Sequence, residues 1–332
     1  MTMADADFAP IHFSSEDLPA RERIPFCREV IGRQMVRLDI ERLEGAPFRL
    51  DMTMRRLPAL RVGTWSTPAL RVERTPALID DDDDVFCLIM ELGEKSSASA
   101  RGRTATLRRG EAMLGYNMDP CVTLHSTSQL VAAAVPRAAL ASLVANAEDA
   151  TIRTIPADNE ALRLLPVYLR SVYEELPLAS PELRHLVTTH VHDLVALAVG
   201  ATRDGAAQAV SRGLSAARLV AIKADIVANL SRRDLSLDFI AGRHGLSARH
   251  IRRLFSAEDT SFSDFVLEQR LLRAYRMLGD PRFADRAVSA VAYECGFGDL
   301  SYFNRCFRRR FGASPTQFRG AEETSQRPTS RR

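Results

Sequence analysis

Two triplets of hydrogen-bonding side chains stand at the same spacing in the C-terminal third of this chain: Arg249, Arg252 and Arg253, then Ser301, Asn304 and Arg305. Each triplet runs i, i+3, i+4, which puts its members on one face of an α-helix. The chemistry open to that set is the reading of nucleobase edges. The arginine fork donates two bonds to guanine, asparagine pairs with adenine, and serine serves either. Arg308, Arg309 and Arg310 follow directly; near a helix C-terminus they complement both the backbone dipole and a phosphate.

The elements that would carry these triplets form a repeat. Leu237, Ile240, Ala241, Gly245 and Leu246 recur at one constant offset as Val288, Val291, Ala292, Gly296 and Phe297. After one inserted residue, Ser247, Ile251, Arg253, Leu254 and Phe255 recur as Asp299, Phe303, Arg305, Cys306 and Phe307. Each copy, at about 235–256 and 286–311, reads as a helix, a glycine turn and a second helix. The glycine supplies the positive φ that ends the first helix, and Ser247 or Asp299 caps the second. Ala241 and Ala292 are the small residues that let two helices cross closely. Two helices joined by a short glycine turn make the helix-turn-helix unit, whose second helix enters the major groove. A solvated basic helix would account for the arginines but not for the repeat. Between the copies, Phe262, Phe265, Arg270, Leu271, Ala274 and Leu278 mark a helix of roughly 18 residues, about 27 Å long at 1.5 Å per residue. A rod of that length suits two reading helices about one DNA turn, ~34 Å, apart.

Charge follows the same division. The net charge of the 332 residues is +3, yet residues 215–320 carry 18 Lys+Arg against 11 Asp+Glu, so the part before them is acidic. A basic domain joined to an acidic one suggests a polyanion for the first and a different partner for the second. Cys27, Cys87, Cys121, Cys295 and Cys306 are an odd set with no CxxC spacing. Neither a disulfide framework nor a zinc knuckle follows, and the thiols read as small buried hydrophobes. The acidic N-terminus and the interrupted apolar runs predict a cytoplasmic chain without a membrane span.

Residues 217–320 resemble the DNA-binding domain of the AraC/XylS family of bacterial transcription regulators. In "AVSAVAYECGFGDLSYFNRCFRRRFGASPTQFR", Val291-Ala292, Gly296-Phe297, Ser301-Tyr302-Phe303, Arg305, Phe307, Gly312, Ser314-Pro315 and Arg319 stand where that family has them. The resemblance implies two helix-turn-helix units bridged by a long helix and bound to adjacent major-groove segments of promoter DNA. It further implies an activator that contacts RNA polymerase, forms a homodimer and works at the nucleoid. It assigns base contacts to Arg249, Arg252, Arg253, Ser301, Asn304 and Arg305, with Arg308 and Arg309 beside them. The three arginines of the first reading helix depart from the mixed apolar and amide residues of many relatives, which shifts its expected contacts from base reading toward phosphate binding.

The N-terminal two thirds read differently. Phe48, Leu50, Met52 and Met54 alternate as in a half-buried strand, and further strand-like runs reach residue 143, punctuated at Gly102 and Gly110. The expected fold is multidomain α+β: a cupin-like β-roll at about 48–143 with packed helices, then the all-α C-terminal domain. "GRTATLRRGEAML" and the strand rhythm are similar to the regulatory roll of the same family, which implies a small-molecule effector. Met52, Met54 and Trp65 are the candidates to touch it. A metal-dependent cupin enzyme needs clustered histidines; here His125 stands alone among the strands, His12 is far off, and His190 and His192 lie two apart on different helix faces. No catalytic residue, cofactor or metal is expected. The acidic run at 80–84 reads as a solvated hairpin loop. Leu162, Leu165, Leu169, Val172, Tyr173 and Leu176 trace one helical stripe, and Leu183, Leu186, Val187, His190, Val191, Leu194 and Leu197 a second, serving either the roll's core or a dimer interface. Residues 1–200 thus form a sensing and dimerisation domain, 201–216 a linker rich in Gly, Ala and polar residues, and 321–332 a flexible tail. Two alternatives remain: an N-terminal domain that serves only dimerisation or protein contacts, and an enzyme fused to a DNA-binding domain.

Overall fold

The computed structural model describes residues 8–43, 48–80, 83–174, 178 and 180–319, and it divides into two compact units, 1–218 and 219–332. The tail expected at 321–332, Asp81, Asp82 and Leu176 lie outside the described residues, as does the side chain of Tyr173.

Among the described residues the first unit holds eleven strands: β1 (Ile11–Ser14), β2 (Asp39–Arg42), β3 (Asp51–Leu57), β4 (Leu60–Thr67), β5 (Leu70–Arg74), β6 (Val85–Glu91), β7 (Lys95–Ala100), β8 (Arg103–Arg108), β9 (Ala112–Tyr116), β10 (Cys121–His125) and β11 (Ser128–Pro136). They form a six-stranded sheet, β1-β3-β4-β11-β6-β9, and a five-stranded sheet, β2-β5-β10-β7-β8. All pairings between these strands are antiparallel. The roll begins earlier than residue 48, because β1 and β2 form edges of the two sheets. Gly102 and Gly110 hold φ of 69° and 88° at turns, as their punctuation of the pattern suggests. Helix α1 (Ala20–Phe26) continues as a π-helix (Cys27–Val36), and Cys27 and Ile31 pack with Ile40, Phe48, Leu50, Met52 and Leu70.

After the short α2 (Arg137–Ala141), α3 (Glu160–Glu174) and α4 (Pro181–Val199) cover the outer face of the six-stranded sheet. Leu162, Leu165, Leu169 and Val172 of the first stripe are buried, as are Val187, Val191 and Leu194 of the second. Within one chain the described residues of the stripes complete the core, and among them only Leu186 is half exposed. Both faces of β3 are therefore covered: the outward Arg55 is buried and its guanidinium donates to the Val172 carbonyl.

The segment read as a linker is helical. It comprises α5 (Arg203–Ala209), a π-helix (Val210–Leu214) and the start of α6 (Ser215–Ala228). The glycines that suggested freedom allow close approach instead. A Cβ on Gly205 would come 2.6 Å from the Leu143 carbonyl oxygen, and one on Gly213 would come 2.5 Å from the Asp193 Cβ. Arg212 clamps the fully buried Asp193 with bonds of 3.1 and 2.9 Å. The division between units falls at residues 218 and 219, inside α6.

The second unit adds α7 (Leu237–His244), α8 (Ala248–Ser256), α9 (Phe262–Gly279), α10 (Val288–Glu294) and α11 (Leu300–Phe311). Ser236, Ser247 and Asp299 cap α7, α8 and α11 through their side-chain oxygens. Ile240, Ala241, Ile251, Leu254 and Phe255 form one core with α6, and Val291, Ala292, Phe297, Phe303, Cys306 and Phe307 form another. The 18-residue α9 belongs to both: Val266 enters the first core, Leu271, Ala274 and Leu278 the second. Arg270, the odd residue on that stripe, donates to the carbonyls of Leu230 (3.1 Å) and Arg232 (2.7 Å).

The two turn glycines are unequal. Gly245 (φ 62°) has open space where a Cβ would go, whereas a Cβ on Gly296 (φ 90°) would lie 2.1 Å from the Leu230 carbonyl oxygen. Gly245→Ala is expected to cost only the left-handed backbone strain, about 1–2 kcal/mol. Gly296→Ala must also move the Leu230 carbonyl and Arg270, for a loss above about 3 kcal/mol, and Gly296→Val more. Denaturant unfolding of the full chain ranks them; equal losses would mean that the junction yields.

Candidate functional site

The turns orient α8 and α11 so that their apolar faces are buried and the opposite faces open to solvent. Arg249, Arg252, Arg253, Ser301, Asn304, Arg305, Arg308 and Arg309 are all exposed. The phenylalanines interleaved with these arginines point the other way, whereas Tyr302 is exposed beside them. Phe303 and Phe307 lie with ring centroids 5.6 Å apart, and Phe311 meets Tyr275 at 4.6 Å.

Among the described arginines of the second unit five are ion-paired, six stand unpaired on α8 and α11, and Arg233, Arg270, Arg273, Arg276 and Arg319 also enter no ion pair. Arg232, Arg243, Arg282 and Arg286 are neutralised by Asp234, Asp225, Asp280 and Glu294. Arg310 is taken by Glu268 of α9 at 2.8 Å, so it is not free alongside its two neighbours. By contrast, Arg249, Arg252, Arg253, Arg305, Arg308 and Arg309 enter no ion pair among the described residues. Six like charges left uncompensated on two helices repel one another, and a polyanion removes that penalty.

The second site is inside the roll. Between the sheets lies a cavity of about 230 Å³, and the residues facing it explain why it is not filled. Gly63, Ala98, Ala100, Gly115, Ala132 and Ala134 line it, so at these positions β4, β7, β9 and β11 present little more than backbone. Met54 and Trp65 are on its wall; Met52 is instead packed in the core against α1 and the strands. Sequence reasoning missed the polar lining: Arg56, Arg61, Arg74, Asp83, Asn117 and His125. Alternation on β5 (Leu70, Val72, Arg74) and β10 (Cys121, Thr123, His125) is the signal that could have found two of them.

The acidic run is more engaged than a solvated loop. Asp80 pairs with Arg37 at 3.0 Å, Asp83 with Arg61, and Tyr116 donates to Asp84 at 2.8 Å. The histidines serve separate partners. His190 Nδ1 meets the Tyr168 hydroxyl at 2.7 Å and His192 Nε2 donates to the Ala59 carbonyl at 2.9 Å. His12 Nδ1 meets the Thr53 hydroxyl at 3.0 Å. No group of three or more His, Cys, Asp or Glu among the described residues could hold a metal ion. Burial pushes the Cys87 thiol up to about 11, so it stays protonated at neutral pH.

His125 sits in a buried polar network. Ser96 Oγ and Ser128 Oγ donate to the Glu91 carboxyl group, which also accepts from the Gly93 N–H at 2.7 Å. With its proton given to Glu91, Ser96 accepts from His125 Nδ1 at 2.9 Å, and Nε2 is left as the ring's acceptor.

Two sheets around a hollow interior, with paired helix-turn-helix units presenting uncompensated arginines, define a DNA-binding transcription regulator. Residues 240–321 match the helix-turn-helix domain family and residues 27–199 the AraC-binding-like domain, and the chain belongs to the AraC family. It is 27% identical to the transcriptional activator RhrA of Rhizobium meliloti (strain 1021) over 93% of this chain and 96% of that one. It is 28% identical to the transcriptional activator NphR of a Rhodococcus species, over 78% and 77% respectively. Among solved structures, the AraC-like transcriptional activator CuxR is 20% identical with a TM-score of 0.48, covering 80% of this chain and 95% of that one. No helix among the described residues is long and apolar enough to cross a membrane.

Burial holds His125 at about 4, against an ordinary 6.5. Between those values the unfolded chain takes up a proton that the folded one refuses, so His125's contribution to stability is full above pH 6.5 and is lost as pH falls toward 4. The loss amounts to about 3 kcal/mol. His125→Gln is expected to flatten the stability profile across that window, read by urea unfolding at successive pH values. An unchanged slope would show that the ring is protonated in the folded protein.

Proposed function

We propose that this AraC-family regulator is an activator whose roll senses a small molecule and whose α8 and α11 read adjacent major-groove segments of one operator. The observation that carries the second half is the charge on the outward faces of α8 and α11: six arginines stand exposed there without an ion pair among the described residues, while the neighbouring Arg310 is held by Glu268. Arg249, Arg252, Arg253, Ser301, Asn304 and Arg305 are the proposed base readers, and Arg308 and Arg309 the phosphate contacts. Three arginines on α8 give that helix more phosphate binding than base discrimination. The hollow, small-residue-lined roll supports the sensing half. An effector acts by stabilising one arrangement of the chain over another, by no more than its affinity differs between the two. Homodimerisation through the N-terminal unit, contact with RNA polymerase and action at the bacterial nucleoid in the cytoplasm belong to the same proposal.

The test is selection of genomic DNA fragments by the purified protein at near-physiological salt, with and without a pool of small metabolites. Enrichment of one two-part motif, altered by metabolites, supports both halves. A motif indifferent to every metabolite leaves the roll as a dimerisation or protein-contact domain. Diffuse enrichment that vanishes with salt removes base reading altogether. On the selected operator, Arg305→Ala is expected to cost about 1–3 kcal/mol and relax preference at one base position. Arg308→Ala should weaken specific and scrambled duplexes alike and lower the salt slope by about 1. Arg310→Ala should change neither, since Glu268 already holds it. Fluorescence anisotropy on the two duplexes measures all three; uniform weakening by Arg305→Ala would make that residue a phosphate clamp.

A further inference from the structure

Resting on the reading of the roll as a sensor, the geometry points to its ligand class: we infer that the cavity takes a small monocarboxylate with an apolar body, its carboxylate bound by the buried guanidinium of Arg74.

Arg74 is the last residue of β5, opposite Cys121 of β10, and it lines the cavity from the five-stranded sheet. Only 5% of it is exposed. Its Nη2 donates to the Val36 carbonyl at the end of the π-helix, at 3.1 Å, but its Nη1 is buried without a hydrogen-bond partner. A buried guanidinium nitrogen left unsatisfied is costly, and a cation without a bonded carboxylate is costlier.

The other charges around the cavity do not supply the missing partner. Asp83, close enough to act on Arg74 electrostatically, is already bonded by Arg61 and by Asn117 Nδ2. Asp119 pairs with Arg101 at 2.6 Å. His125, held at about 4 by burial, is neutral at physiological pH. Arg56 adds a cation at the wall and no anion. The cavity therefore carries surplus positive charge, most deeply at Arg74.

The remaining surface selects the rest of the ligand. Met54, Trp65, Val72, Ile89, Met113 and Leu130 form apolar walls, and the volume of about 230 Å³ matches seven or eight waters. A carboxylate offers two oxygens in the plane that a guanidinium fork complements. A phosphate dianion would bring a second charge and more acceptors than this lining can satisfy. Thr67 Oγ1, also buried in the lining without a partner, can serve a second polar group on the same molecule.

Isothermal titration calorimetry of the full chain with 3-phenylpropanoate and octanoate, each against its primary amide, tests the assignment. At least one acid is expected to bind tenfold or more tightly than its amide. Arg74→Met should abolish that difference, and Ala132→Phe, which fills the cavity, should abolish binding of both. Without ligand, Arg74→Met should also melt higher than the wild type by about 2–4 °C, because it removes an unsatisfied buried cation. Acid and amide binding equally overturns the carboxylate assignment while keeping the sensor reading, provided Ala132→Phe still blocks both. If neither acid binds, the assignment is overturned. A metabolite extract that raises the melting temperature of the wild type but not of Ala132→Phe would then keep the sensor reading, and no shift in either would remove it. A lower melting temperature for ligand-free Arg74→Met would make Arg74 a structural cap on Val36 and overturn the inference.

Discussion

The pairing of the two helix-turn-helix units depends on one junction in the second unit. The carbonyls of Leu230 and Arg232, where the chain leaves α6, would be orphaned acceptors without the two bonds from Arg270. Arg270 belongs to α9, the helix common to both cores, and Gly296 of the second turn lies against the same carbonyl without room for a Cβ. The Arg233 guanidinium over the Tyr293 ring, at 5.2 Å, adds a further tie between the two halves. The reading helices are thus held through a shared bridge and a shared polar contact. An operator read by such a pair has a fixed phase along the duplex, because one inserted base pair turns the second half-site by roughly a tenth of a revolution.

Electrostatics within α11 shows how finely the same residue type can be allotted. Arg308, Arg309 and Arg310 are consecutive, so successive side chains leave the helix about 100° apart. One of those directions meets Glu268 on α9 and the other two meet solvent. Sequence alone groups the three; the helix phase and the position of α9 separate them.

The C-terminal domain was legible because its constraints are local. Caps, turn glycines and the apolar stripes of Ile251, Leu254, Phe255 and Phe303, Cys306, Phe307 act within a few residues and are repeated. The glycines of 200–213 carried the opposite meaning, since Gly205 and Gly213 are defined by the neighbours Leu143 and Asp193, which are distant in sequence. Strand β7, KSSASA, was silent because its inward residues Ser96, Ala98 and Ala100 are too small to register as a hydrophobic alternation. Arg74 was invisible for a similar reason. An arginine at a strand end reads as surface until the opposite sheet is seen to bury it.

Those same small residues have a consequence for how the regulator changes over generations. Alanines at 98, 100, 132 and 134 line the cavity from β7 and β11, each paired on both sides, so at these positions its shape is set by methyl groups and not by backbone path. Substituting valine or leucine for Ala98, Ala132 or Ala134 would redraw the interior without altering a pairing register. On the proposed function, molecular recognition inside the roll and promoter recognition by α8 and α11 fall in separate compact units. A lineage can therefore exchange the chemical signal it obeys while keeping the genes it commands.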